Sequence, residues 1–516
     1  MNASHLPQAQ FLHDLPAIQA QRQPDAVALW WQGAPTTYAQ LNRRVAQLAA
    51  RLAAVGERGD RIGVLAWNGP RFIELIYACA ASGRILVPLN ARLAPAEWLY
   101  QLQAAGVGTL FADGDLLPSL RSHPAFPPGL ATIDLQAGHD RWLREGPVAP
   151  LPALHAQDPA WILFTSGSTG RPKGAVLSHR SFLAGLESAA LARPVASGDK
   201  YLYPFPLFHV AAHNVLLQHQ YGAAVVLLRA FAAEETLRAC RELGVTTLSL
   251  APTMIAMLLD HPSFSPGDLA SVRTIGYGAS AMPETLLRRL LDETGVGLCQ
   301  SYGMTELSGS AAFLTVEDHR LAAAGRPELL QSVGKPLATV ELKVVDESGR
   351  ECVAGDAGEI LVRAPQCMQG YWQQPQVTAA TLVEGWLHTG DIGRFDTEGY
   401  LYIVDRKKDM IVSGGENVAS REVEEVLRQH PAVRDCAVIG LPDPRWGEQV
   451  CALVVLAMEA SDAELAAHCR SLLAGYKTPK TWRRVEALPL NAAGKVDKPA
   501  LREELRAHWE SGRAAH

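Results

Sequence analysis

The sequence predicts an α/β protein with a large N-terminal region and a smaller α+β unit at its C-terminal end. Three observations carry this. Short β-branched runs alternate with helical periodicity from about Ala26 to Ile275. Hairpin-like strands replace that alternation after about Val340. The chain is also 516 residues long, more than a single small core organises. Strand and helix in alternation imply a largely parallel sheet covered on both faces.

Taken in order, Thr37 and Gln40 form a capping-box pattern ahead of Leu41, Val45, Leu48, Leu52 and Val55, and Gly56 stops that helix. Strand-like residues 61–66, a helical stretch to Ala81, strand-like 85–87, another helical stretch and strand-like 107–111 follow. A connector containing Pro147, Pro150, Pro152 and Pro159 leads to the apolar run 161–164. The alternation resumes through 225–228, 246–250 and 272–275, so two α/β subdomains in tandem are expected. Strand-like 342–345 and 359–362, with turns at Gly349 and Gly358, read as a small β-rich subdomain. Beyond Asp405 lies the α+β unit, with strands near 436–439 and 451–456 and a helix at 462–473 capped by Ser461 and Glu464. Its junction, Arg406-Lys407-Lys408-Asp409, is short and charged, as a hinge is.

The net charge of −6, without long runs of one sign, gives no electrostatic footprint for nucleic acid or anionic lipid. Eight scattered cysteines with no C-x-x-C pair suit a reducing compartment, so a cytoplasmic protein is expected. Residues 1–23 lack the apolar core of a secretory signal, and no stretch reaches bilayer-spanning length, so no integral membrane segment is expected.

The chemistry begins at residues 164–174, Phe-Thr-Ser-Gly-Ser-Thr-Gly-Arg-Pro-Lys-Gly, directly behind the apolar run. Gly167 and Gly170 open backbone conformations that turn N–H groups inward as an anion nest. Thr165, Ser166, Ser168 and Thr169 add hydroxyl donors and Lys173 a point charge, so the loop reads as a phosphate site. It is not a Walker loop, because Gly174 rather than Ser or Thr follows the lysine. Four further segments share the theme. Ser301-Tyr302-Gly303-Met304-Thr305-Glu306 offers an aromatic face and oxygen ligands for Mg²⁺. His388-Thr389-Gly390-Asp391 presents a carboxylate suited to a ribose diol. Asp405 to Asp409 runs on to Ser413-Gly414-Gly415-Glu416-Asn417, and Pro489-Leu490-Asn491-Ala492-Ala493-Gly494-Lys495 displays a lysine on a glycine turn.

In this order the segments closely resemble the core motifs of the adenylate-forming superfamily, which spans acyl-CoA synthetases, luciferases and peptide-synthetase adenylation domains. The resemblance covers residues from about 23 to 505. It implies an AMP-binding domain at 1–405, a hinge at 406–409 with Lys408 as its pivot, and a mobile C-terminal domain at 410–516. It also implies ATP, Mg²⁺ and coenzyme A as cofactors. Residues 165–173 would hold the β- and γ-phosphates of ATP, Thr305 the α-phosphate and Glu306 Mg²⁺. Gly278, Ala279 and Ser280 with Tyr302 would sandwich adenine, and Asp391 with Arg406 would grip the ribose. Lys495 would bridge the substrate carboxylate and the α-phosphate. For the second half-reaction the resemblance assigns Gly414, Gly415 and Glu416 to a pantetheine tunnel, Trp446 to pantetheine packing, and Lys477 and Lys480 to the CoA nucleotide. Thr478 departs from the basic residue that some relatives carry in that patch.

The implied acyl pocket takes in His209, Val210, Ala211, Ala212, Asn214, Tyr277, Gly278, Gly303 and Met304, with His209 as a gate that also touches the reacting groups. Amino-acid-activating relatives place an aspartate where Val210 stands, and an unpaired buried ammonium is costly, which argues against amino acids. The expected substrate is a medium- or long-chain fatty acid or an aryl or arylpropenoic acid. The reading is an ATP-dependent carboxylate–CoA ligase that forms an acyl-adenylate and pyrophosphate, then a thioester and AMP. Its alternatives are an enzyme that loads a carrier protein and a non-catalytic acyl-adenylate sensor. Expected partners are small molecules, a homodimer copy and a lysine acetyltransferase acting on Lys495, whose Pro489-to-Gly494 context is similar to modified bacterial acyl-CoA synthetases.

Overall fold

A computed structural model describes residues 9–165, 171–278, 282–413, 416–443, 446–491 and 494–513, without the side chains of Asn417 and 506–513. The chain divides into two compact units. The first comprises Met1–Leu342, Val362–His388 and Gly399–Leu401, the second Lys343–Leu361, Thr389–Glu398 and Tyr402–His516.

Unit 1 is built on two sheets. A seven-stranded sheet has the order Gly370–Tyr371, Lys173–Ser178, Pro159–Thr165, Ile85–Leu89, Arg61–Leu65, Val107–Ala112, Ala131–Asp134. Its last five strands run parallel, and Lys173–Ser178 is antiparallel to both its neighbours. A nine-stranded sheet has the order Lys335–Pro336, Gly309–Leu314, Gly297–Met304, Thr274–Gly278, Thr247–Ser249, Lys200–Tyr203, Ala224–Leu227, Val27–Trp31, Ala34–Thr37. All residues of Ile85–Leu89 and Ala224–Leu227 are buried, as expected of parallel strands covered on both faces. The helix Tyr38–Ala54 begins on the expected capping box: the Thr37 hydroxyl accepts the Gln40 N–H, and the Gln40 side chain accepts the Thr37 N–H.

Glu341–Val345, Gly358–Arg363 and Trp386–Phe395 lie side by side, and Leu401–Arg406 pairs with the last. These are the expected β-rich hairpins. The C-terminal part carries the order Glu416–Val418, Ile411–Ser413, Gly447–Leu456, Val433–Asp443, with Thr481–Arg484 parallel to Gly447–Leu456. Strand alternation sends Cys436, Val438, Val450 and Val454 to one face, against Val423, Leu427, Leu465 and Cys469 of two helices. Ala437, Ile439, Cys451 and Leu453 face the other way, against Leu488 and Leu501. The helix Asp462–Leu472 starts on the expected Ser461–Glu464 box. Among the described residues no helix is long and apolar enough to cross a membrane.

Candidate active site

One cluster of unit 1 is built around Glu306. The strand Gly297–Met304 leads into a single 3-10 turn, Thr305–Leu307. Gly303 makes this approach feasible, because a Cβ there would lie 2.0 Å from the Gly309 carbonyl oxygen. Ser308 closes the turn at φ 50°, a left-handed conformation that its surroundings must hold. They do so through its N–H to Thr305 C=O at 3.0 Å and its hydroxyl 3.1 Å from that of Ser181. The Gln366 amide donates to the Leu307 and Ser310 carbonyls at 3.2 and 2.6 Å, and Met368 N–H to Glu306 C=O at 2.8 Å.

So oriented, Glu306 Oε1 accepts the Tyr371 hydroxyl at 2.9 Å and the Thr165 hydroxyl at 3.3 Å. Both donors arrive on strands flanking Lys173–Ser178, with Tyr371 opposite Ala175 and Thr165 opposite Lys173. The Lys173 ammonium lies 5.3 Å from the Tyr371 ring centroid. Burial first, then the Glu306 charge, raise the Tyr371 pKa, so its phenol stays a donor at ordinary pH. Ser166, Gly167, Ser168, Thr169 and Gly170 lie outside the described residues, as do Ala279 and Ser280. Among the described residues no three His, Cys, Asp or Glu side chains gather as a protein-only metal site. One oriented carboxylate with unused lone pairs still suits Mg²⁺, which takes one or two carboxylates and completes its shell with phosphate oxygens and water.

The expected acyl-pocket segment is held from a distance. Buried Asn68 donates to the Phe205 and Leu228 carbonyls at 2.7 and 2.9 Å and accepts Leu207 N–H at 2.8 Å. That clamp sets the loop before His209, whose ring stands 4.8 Å from Phe208, and the short helix Val210–Ala212. Tyr277 and Gly278, as neighbouring strand residues, point to opposite faces: the Tyr277 hydroxyl lies 2.8 Å from His319 Nε2, and a Cβ on Gly278 would sit 2.9 Å from the Ser301 carbonyl oxygen. Tyr302 and Met304 fall near the end of Gly297–Met304, opposite Ala312 and Gly309.

The second cluster belongs wholly to unit 2. Asp391 is 3% exposed and pairs with Arg406 Nε at 2.6 Å. Gly390, at φ 69°, lets the strand kink so that Asp391 N–H reaches the Thr389 hydroxyl and Gly390 C=O accepts Lys407 N–H. Lys495 follows Gly494, which at φ 76° closes a turn in which Asn491 N–H donates to Lys495 C=O at 2.7 Å. The Lys495 residue is exposed. Desolvation first, then the Arg406 guanidinium, lower its pKa, and Asp391 opposes them.

Between these groups, buried Asp405 accepts the Ser420 N–H and hydroxyl at 2.6 and 2.8 Å. Lys407 pairs with Glu359 at 3.0 Å and Asp409 with Arg502 at 2.8 Å. Lys408 is exposed and has no side-chain partner among the described residues. Elsewhere in the unit, the Lys480 ammonium sits 4.0 Å from the centroid of half-exposed Trp446, while both Glu422 oxygens hold Lys477 at 2.7 Å. Thr478 is buried. Glu416 begins a strand opposite Ser413, and Gly414 and Gly415 lie outside the described residues.

Tyr371 and Asn68 had no place in the sequence reading. Each acts on a segment more than sixty positions away, Tyr371 on Glu306 at a separation of 65 and Asn68 on Leu207 at 139, so neither leaves a local pattern.

Residues 17–372 match the AMP-binding enzyme family, and residues 422–495 match the AMP-binding enzyme C-terminal domain. The chain is similar to a feruloyl-CoA synthase of Amycolatopsis, 38% identical over 506 residues that cover 96% of this chain and 99% of that protein. It is similar to a fatty acid–[acyl-carrier-protein] ligase of Streptomyces coeruleorubidus, 37% identical over 517 residues and 98% of each chain. Among solved structures it resembles o-succinylbenzoate CoA synthetase from Bacillus subtilis in complex with its acyl-adenylate intermediate. That match has a TM-score of 0.85 and 33% identity, covering 95% of this chain and 97% of the other.

Proposed function

We propose residue roles for a chain that belongs to the AMP-binding enzyme family: it is an AMP-forming acid–thiol ligase that uses ATP, Mg²⁺, a carboxylic acid and CoA. The acid's carboxylate attacks the α-phosphorus of ATP and pyrophosphate leaves. The CoA thiol then attacks the acyl carbonyl and AMP leaves. The first step brings two anions together, so cations already in position lower its barrier most.

The observation that carries the assignment is the buried Asp391 paired with Arg406 at 2.6 Å, with the charge of Lys495 coupled to both. In this reading Asp391 with Arg406 binds the ribose, and Lys495 spans the carboxylate and α-phosphate. Glu306, held by Tyr371 and Thr165, binds Mg²⁺; Thr305 meets the α-phosphate, and the 165–173 loop the other two. Gly278, Ala279, Ser280 and Tyr302 enclose adenine. Residues 1–405 form the AMP-binding domain, 406–409 the hinge and 410–516 the domain that moves. The pinning of Asp405, Lys407 and Asp409 around Lys408, which has no side-chain partner among the described residues, supports Lys408 as pivot. His209, Val210, Ala211, Gly303 and Met304 line the acyl pocket, with no acid at Val210 to hold an ammonium, which favours a fatty, aryl or arylpropenoic acid. The eight cysteines are free thiols, in keeping with a cytoplasmic setting. A homodimer and acetylation of Lys495 complete the proposal.

The test is AMP release across a panel of acids with ATP, Mg²⁺ and CoA. Each active acid should also drive ATP–pyrophosphate exchange without CoA, and exchange with none of them refutes the reading. One observation favours a second acceptor, a carrier-protein phosphopantetheine. Lys477, expected to meet CoA phosphates, is engaged by Glu422. Comparing CoA with a loaded carrier protein at matched concentrations separates the two.

A further inference from the structure

Arg193 caps the helix His179–Ala192 and is only 9% exposed. Its guanidinium lies across the strand Thr274–Gly278 at Gly276, where a Cβ would stand 2.7 Å from Nη1. Gly276 is not among the positive-φ glycines, so its missing side chain provides space for Arg193 rather than backbone freedom. Nη1 donates to Ser249 Oγ at 3.2 Å and Nη2 to Leu248 C=O at 3.1 Å, and the cation sits 5.3 Å from the Tyr201 ring centroid. Among the described residues no carboxylate pairs with it. A guanidinium carries five N–H donors; with Ser249, Leu248 and the Tyr201 hydroxyl each taking one, two remain.

The neighbouring hydroxyls add to this surplus. Tyr201 and Ser249 share one hydrogen bond of 2.7 Å, so whichever donates, one hydroxyl hydrogen of the pair is left over. The cluster is rich in donors and poor in acceptors, and it holds a buried positive charge. Such a charge costs several kcal/mol unless an anion offsets it.

Its position connects it to the acyl pocket. Gly276 is level with Cys299 and Gly278 with Ser301, so Arg193 lies on the sheet face that carries Gly278 and Gly303 at its outer end. From the level of Cys299 to Gly303 is four residues, roughly 13 Å along a strand. The Arg193 charge also reaches buried His213, the residue immediately after the Val210–Ala212 segment.

We propose that Arg193 and Ser249 form a subsite at the inner end of the acyl pocket for an acceptor oxygen at the far end of the substrate acid, either an ω-carboxylate or the para oxygen of an arylpropenoic acid. This deepens the ligase reading and rests on it. A chain ending in a methyl group leaves the donors unanswered, and an ammonium repels the guanidinium.

The experiment compares matched pairs in wild-type enzyme: cinnamic acid with its 4-hydroxy and 4-carboxy derivatives, and octanoic with suberic acid. The readouts are kcat and KM for AMP release with CoA, and ATP–pyrophosphate exchange. Wild type should favour the oxygen-terminated member by about 10- to 150-fold, expressed in KM, because a hydrogen-bonded charged contact is worth about 1.5–3 kcal/mol and lies far from the reacting atoms. The 4-hydroxy and carboxylate arms identify which oxygen is read. Arg193→Met should bring the ratio to about one or invert it, and Ser249→Ala should lower it. Wild-type ratios within about threefold for every pair overturn the inference, and that measurement stands even if Arg193→Met fails to fold. Equal losses for both members of a pair in Arg193→Met and Ser249→Ala also overturn it, since they mark a structural role. Exchange with no acid at all would instead refute the ligase reading.

Discussion

Tyr371→Phe removes one hydroxyl and little else. The ring stays to face Lys173 at 5.3 Å, and the backbone pairing of Tyr371 with Ala175 is untouched. What disappears is the 2.9 Å hydrogen bond to Glu306 Oε1. A hydrogen bond to a charged acceptor contributes about 1.5–3 kcal/mol, a factor of roughly 10 to 150. The remaining Thr165 contact, at 3.3 Å, is longer and fixes only one direction. A separate estimate agrees, since removing a group that orients a metal-binding carboxylate costs about 10- to 100-fold. The effect should appear in the Mg²⁺ dependence: half-saturating Mg²⁺ for ATP–pyrophosphate exchange rises at least about tenfold. Thioester formation from supplied acyl-adenylate stays within about threefold, because pyrophosphate and its metal have already gone. An unchanged Mg²⁺ titration, or equal loss in both half-reactions, would refute the role given to Glu306 and Tyr371.

Lys495→Ala should abolish adenylate formation while sparing thioester formation from supplied acyl-adenylate, measured in single-turnover assays of each step. Lys408→Pro should keep ATP–pyrophosphate exchange but slow CoA turnover, because proline fixes φ near about −65° where the swing needs two states; unchanged turnover places the pivot elsewhere. Incubation with a lysine acetyltransferase and acetyl-CoA should modify Lys495 and stop adenylation without unfolding the protein; mass spectrometry with activity checks both. Burial holds His179, His213 and His219 at about 4, below their ordinary 6.5, so the unfolded chain binds more protons between those values and stability falls as pH drops through that window. The slope approaches about 1.4 kcal/mol per pH unit per histidine, and urea midpoints that stay flat from pH 6.5 to 5 would exclude it.

Local signals in the sequence located elements well and their supports poorly. The Thr37–Gln40 and Ser461–Glu464 boxes were legible because both partners lie within one turn. The strand expected at 85–87 extends through Leu89, with Pro88 opposite Val64 in a parallel pair. The groups that aim Glu306 and shape the His209 loop were invisible. A hydrogen bond between residues 65 or 139 positions apart leaves no periodicity to read. Tyr277 and Gly278 are adjacent in sequence, yet the pleat of the strand sends them to opposite faces, and the partner of Tyr277, His319, lies 42 positions away.

Lys495 and Arg406 carry charges of the same sign whose fields overlap. Desolvation first, then the Arg406 charge, lower the Lys495 pKa, while Asp391, paired with Arg406 at 2.6 Å, raises it. The fold nevertheless invests structure in the arrangement. The Gly494 turn displays Lys495, the Gly390 kink aims Asp391, and Asp405 is anchored to Ser420 beside Arg406. Like charges gathered by this many local devices are expected where an anion completes the set, because a preorganised positive field then costs no reorganisation when negative charge develops. A nucleotide α-phosphate meeting a carboxylate is such an anion pair. The same crowding makes Lys495 the residue at which loss of one charge should stop the first half-reaction and leave the second intact.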